Sequence, residues 1–295
     1  MMSYRIVKGR FRLYFTSSNG RRTSSQPDGD SMWFEPDAPS LLEQFERDPS
    51  FNRGGCVQLR LEGIDALELH YEGNHQNQGL AAAARDALLQ GVGFADVEFV
   101  DGSPLKVRQS VPEAVPGYIL VSGIDTHGRP ISFAYAGTSD RPDGWRGPIT
   151  VPWMERSLNA GLLEAGLVYP AFYSSLGDDL QAALAAGAAR AASGASGLWP
   201  LDRTIRRSRI EDVTTLEKLA IWPKLFRRLV SFFGSGHTDV RGFVSWLRDR
   251  PRERDDAMRV RSSGEPRTLS DVVRVTPAGF VRMTVAPLDL VVTPR

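Results

Sequence analysis

Cysteine is almost absent from this chain of 295 residues, with Cys56 standing alone. One thiol excludes an internal disulfide framework and a cysteine-rich zinc site. The burial habit of free cysteine makes Cys56 a half-buried strand residue. Long apolar runs are also missing. The longest, such as Leu229-Val230-Ser231-Phe232-Phe233, falls far short of the roughly 20 residues a membrane-spanning helix needs, so no membrane partner is expected. Near the N-terminus Arg5, Lys8, Arg10 and Arg12 interrupt the apolar residues before Phe15. That spacing leaves no continuous core for a secretory signal, and a cytoplasmic location is the expectation. No internal repeat is visible. His70, His75, His127 and His237 show no metal-ligand spacing, so surface or structural roles are expected of all but His127.

What is present describes an ordinary globular protein, 41% hydrophobic and 24% charged, long enough for one large domain or two smaller ones. The net charge of +1 conceals an asymmetry. Residues 1–200 carry 17 Lys/Arg against 23 Asp/Glu, whereas residues 201–295 carry 19 against 12. The expected organisation is a first domain over 1–200 and a basic accessory module over 201–295, with different partners or contact with each other.

Alternation of apolar residues predicts strands over Tyr4 to Phe15, Ser31 to Glu35 and Val57 to Leu61, with further strands at Val97 to Val100, Tyr118 to Ser122 and Pro130 to Tyr135. Helical spacing covers Gly79 to Gly91, a stretch from Pro152 to Gly166, and the Ala-rich Asp178 to Ala192, which has acidic residues at its start and Gly194 at its end. Beyond Pro200, helices are expected at Thr215 to Trp222, Pro223 to Phe233 and Asp239 to Arg248. Pro251 to Pro266 reads as loose, and Val272 to Val275 and Phe280 to Val285 as a hairpin turning at Thr276–Gly279.

Four short pieces carry the chemistry: Asp28-Gly29-Asp30-Ser31, Leu59-Arg60-Leu61 leading to Ile64-Asp65-Ala66-Leu67-Glu68, and Asp125-Thr126-His127-Gly128-Arg129. Taken singly, an Asp-Gly-Asp is usually a turn, and a strand Arg or a Gly-Arg pair is usually a solvated position. Together they supply carboxylates for a hard cation, a carboxylate to activate water and two planar guanidinium forks for a phosphate.

In order and combination these motifs resemble the staphylococcal-nuclease, or thermonuclease, family over roughly residues 26–199. The resemblance implies a five-stranded OB-like barrel with packed helices in an α+β fold. It further implies calcium-dependent hydrolysis of DNA or RNA phosphodiesters. By that resemblance Asp30 and Asp65 are metal carboxylates and the Ala66 carbonyl is a further metal ligand. Arg60 and Arg129 clamp and stabilise the phosphate, and Glu68 is the base. Three positions depart from the family pattern: Ser31 stands for Thr, Leu67 for Pro and His127 for Tyr. Leu67 loosens the turn that aims Glu68, and the His127 imidazole can donate to phosphate in place of the phenol. The insertions at Pro36–Gly55, Asp101–Pro116 and Thr138–Gly147 are expected to reshape a substrate channel. Leu67, these insertions and the acidic body favour a second reading, a nuclease-fold binding or scaffold protein with little activity. Residues 201–295 offer a further nucleic-acid or protein contact.

Overall fold

The structure, a computed structural model, describes residues 3–17 and 19–294. It is a mixed α+β protein made of two compact units. The first joins the segment ending at Glu62 to Ala84–Leu162, and the second joins Gly63–Ala83 to the segment from Leu163 onward. The composition shift at residue 200 therefore lies inside the second unit. Strand pairing accounts for this: Tyr169–Tyr173, from before the shift, runs parallel to Leu290–Val292, with Phe172 opposite Val291.

The first unit is built on a nearly closed, barrel-like sheet. Six strands follow one another in the order Val57–Gln58, Trp33–Pro36, Tyr4–Arg12, Ala114–Ile124, Pro130–Ala136 and Arg60–Leu61. The two end strands are separated in sequence only by the fully buried Leu59, so the sheet comes back almost onto its starting point. The short strand Arg146–Gly147 also pairs with Tyr4–Arg12. The barrel is thus six strands along its path rather than the expected five. Phe11 and Phe34 are fully buried on one face of this sheet, and Ile6, Leu120 and Phe133 on the other. Where the barrel is tightest, Gly117 faces Gly9, and a Cβ on Gly117 would sit 2.3 Å from the Phe11 ring. Only glycine leaves room there. Most of the Asp101–Pro116 insertion is itself strand, since Ser103–Val111 pairs with Asp96–Val100.

The second unit centres on a sheet ordered Pro266–Thr268, Ala257–Val260, Leu290–Val292, Tyr169–Tyr173 and Gly63–Asp65. The helix Asp178–Ser193 buries Leu180, Leu184 and Ala188. The amphipathic helix Pro223–Gly234 starts on proline and buries Leu225, Phe226, Leu229 and Phe232, a face whose missing first N–H costs nothing. Leu198 is buried and Trp199 packs edge-on against Tyr169, within this second unit. No helix among the described residues is long and apolar enough to cross a membrane.

Candidate active site

In the first unit the chemistry gathers at one end of the barrel. The strands Ala114–Ile124 and Pro130–Ala136 form a hairpin whose turn carries the Asp125–Arg129 motif. Asp125 organises that turn. Its Oδ1 accepts the backbone N–H groups of His127 and Arg129, both at 2.9 Å. Gly128 has φ +74°, and its carbonyl accepts from Ser50 N at 2.9 Å. A Cβ on Gly128 would come within 2.6 Å of Ser50 N, so part of the Pro36–Gly55 insertion rests directly on the motif.

Asp125 also gathers the two arginines. Its Oδ2 lies 2.8 Å from Arg129 Nε and Nη2 and 3.9 Å from Arg60 Nη1. The carboxylate is 6% exposed, whereas the arginine side chains are 33% and 32% exposed. Burial alone would raise the Asp125 pKa, but the Arg129 N–H and charge outweigh it and hold the group below its ordinary value. Arg60 reaches this place because its strand runs parallel to Pro130–Ala136, with Arg60 opposite Ile131. Asn159, fully buried, locks that register by donating to the carbonyls of Glu62 and Ser132 and accepting from Ala134 N. Asp30 is half-buried beside the same strand, and its carbonyl accepts from Leu61 N at 3.0 Å. The preceding turn closes through Asp28 N donating to the Ser31 carbonyl. The His127 side chain is exposed.

Glu62 was not among the sequence candidates, although alternation placed it on the polar face with Arg60. The structure buries it to 6% exposure. Burial pushes its carboxyl up to about 7, against the Ser122 hydroxyl that donates to Oε2 at 3.0 Å and the charge of Arg60.

In the second unit, Asp65 and Glu68 are brought together by a residue that sequence reasoning did not assign. Arg227 donates from Nη1 to Asp65 Oδ1 at 3.1 Å and from Nη2 to Oδ2 at 2.8 Å. The same Nη1 bonds Glu68 Oε1. Burial opposes the Arg227 charge, and the two carboxylates overcome it and hold the guanidinium firmly protonated. Ala66 and Leu67 are buried between them. Leu67 stands in this turn, which is held by a buried amide. Gln76, with no exposed surface, accepts from Glu68 N at 3.1 Å, donates its backbone N–H to the Glu68 carbonyl and anchors to the Ile221 carbonyl.

The structure therefore brings Arg60 together with Arg129, and Asp65 together with Glu68. Among the described residues, no group of three or more His, Cys, Asp or Glu side chains is arranged to hold a metal ion. The donor types around Asp65, carboxylate and carbonyl oxygens, are those a hard divalent cation prefers. No family model matches the chain, and no curated protein matches it.

Proposed function

We propose that this chain is a calcium-dependent phosphodiester hydrolase of nuclease type, acting on DNA or RNA, with an OB-like barrel of the thermonuclease kind. The observation that carries this reading is the convergence of Arg60 and Arg129 on the buried Asp125. Asp125 sets one negative charge against two guanidinium groups, so the trio keeps a net positive charge that an anion can meet. Asp125 anchors one edge of the Arg129 guanidinium by hydrogen bonds and holds Arg60 by charge at 3.9 Å, and guanidinium forks suit the non-bridging oxygens of a phosphate. A pentavalent phosphate gains more negative charge on those oxygens, so fixed cations lower its energy preferentially.

In this reading Asp65 and the Ala66 carbonyl of the second unit would hold calcium, which would supply Lewis-acid polarisation of the phosphate when bound, and Asp30 is assigned to the metal by the resemblance alone. Glu68 accepts a proton from water, His127 donates to the phosphate, and Asp125 positions both arginines. Arg129→Ala should lower plasmid nicking by roughly 10²–10³-fold, the scale for removing one preorganised charge donor, with the fold retained by circular dichroism. Undiminished nicking would remove the assignment.

One observation favours a second reading, nucleic-acid binding without cleavage: Arg227 already occupies oxygens of both Asp65 and Glu68. Oligonucleotide binding with no nicking at any calcium concentration would select it.

A further inference from the structure

A three-stranded sheet in the second unit, ordered Ser208–Arg209, Phe280–Met283 and Val273–Val275, has two very different faces. On one face Ser208, Val273, Val281 and Met283 are buried. On the other, Arg274 stands directly opposite Arg282, and Arg209 directly opposite Phe280. Alternation along the chain puts Arg207 on this second face too, and its guanidinium lies 5.0 Å from the Phe280 ring centroid. Arg207, Arg209, Arg274 and Arg282 are exposed and Phe280 is half-buried.

The Arg274–Arg282 juxtaposition works against the fold, because like charges directly opposite on neighbouring strands are destabilising. Local compensation is slight. Arg209 pairs with Glu211 at 3.1 Å, and Arg274 Nη1 donates to the carbonyls of Asp271 and Val273. Among the described residues Arg207, Arg274 and Arg282 form no ion pair with a carboxylate. Exposed Ile205, 47% accessible, lies two residues before Arg207.

From this we infer that the face is a docking surface for single-stranded nucleic acid, with the arginines on successive phosphates and Phe280, with the Arg207 plane, as the stacking platform. Neighbouring strands lie about 4.8 Å apart, so the arginines form a compact cationic field that a polyphosphate chain can cross. An aromatic ring set among arginines on an open sheet suits an unpaired base, which offers a π-face whatever its sequence. The inference does not depend on hydrolysis.

The test is fluorescence anisotropy of a labelled oligo-dT strand titrated with the full chain at several salt concentrations. For the double variant Arg274→Ala/Arg282→Ala, affinity should fall at least tenfold. Its slope of log K against log salt should be shallower by about 1.4, the value for two lost single-strand phosphate contacts. Arg207→Ala/Arg209→Ala, on the other edge, should behave alike, and Phe280→Leu should weaken binding without altering the slope. Unchanged affinity and slope in both arginine pairs would overturn the proposal, as would equal affinity of the wild type for a poly-glutamate peptide. Loss of binding in Arg129→Ala alone, with both pairs unaffected, would assign the nucleic acid to the barrel instead.

Discussion

Arg227 grips Asp65 with both ends of its guanidinium, at 3.1 and 2.8 Å, from a helix 162 residues further along the chain. The same group holds Glu68. In the proposed site Asp65 would be a metal ligand and Glu68 the base, so an external cation would have to compete with the internal cation, Arg227, for the same oxygens.

Removing that cation exposes the competition. Arg227→Ala leaves two largely buried carboxylates facing each other, and should cost about 3 kcal/mol of unfolding free energy in urea titration, the lower end for a broken buried pair. Calcium should then raise the melting temperature of the variant more than that of the wild type, by mass action on the freed carboxylates. Equal calcium shifts in both proteins would show that the oxygens are not the cation's ligands.

Asp125→Asn keeps the side-chain shape and removes the charge that gathers Arg60 and Arg129. A loss of about 1–3 kcal/mol is expected for charge-assisted hydrogen bonds to a buried group. The folded carboxyl titrates below its ordinary value. Its contribution is therefore complete above pH 3.8 and disappears as the pH falls through the depressed folded value. Acid unfolding should be correspondingly less steep in the asparagine variant.

Glu62 behaves in the opposite sense. Its folded pKa of about 7 exceeds the ordinary 4.5, so below 4.5 both folded and unfolded carboxyls are protonated and no cost arises. Between those values the folded state retains a proton that the unfolded state has lost. Stability therefore declines as pH rises to about 7, by roughly 3 kcal/mol in all. Glu62→Gln should abolish that decline, measured as urea midpoints between pH 4.5 and 8.

The thiol of Cys56 should be inert. It is 1% exposed, and burial followed by the charge of Glu35 raises its pKa to about 11. Labelling with a thiol-specific disulfide reagent should require unfolding; rapid labelling of the native chain at pH 8 would contradict this packing.

The sequence reveals those parts whose determinants are local. Leu59 and Leu61 alternate visibly with Arg60, Gly128 marks its turn, and the helix expected over Asp178 to Ala192 ends within a residue of the observed Asp178–Ser193. Short strands without alternation escape. Tyr169–Tyr173 is apolar throughout and carries Pro170, so no period marks it. Ala257–Val260 lies in a stretch expected to be loose, where Arg259 and Arg261 obscure the buried Met258 that its neighbours Pro266–Thr268 and Leu290–Val292 enclose.

The site divides in the same way. Arg60, Asp65, Glu68 and Arg129 stand out as candidates in the sequence because their spacing follows a motif, and the fold brings them together as two separate pairs. Glu62 is not, because alternation assigns it to the polar face while Ser122, sixty residues away, receives it indoors. Arg227 carries no signal at all. It is one of two adjacent arginines on an amphipathic helix, and only the folded chain selects it over Arg228, which pairs with Asp256 instead.

The most direct test is calcium-stimulated phosphodiester hydrolysis by the purified chain, followed on plasmid and on single-stranded oligonucleotide with and without chelator. Cleavage that appears with calcium, stops on chelation and collapses in Arg60→Ala and Arg129→Ala is the expected result. Absence of cleavage in the wild type and in Arg227→Ala alike, or cleavage indifferent to both arginines, would contradict it.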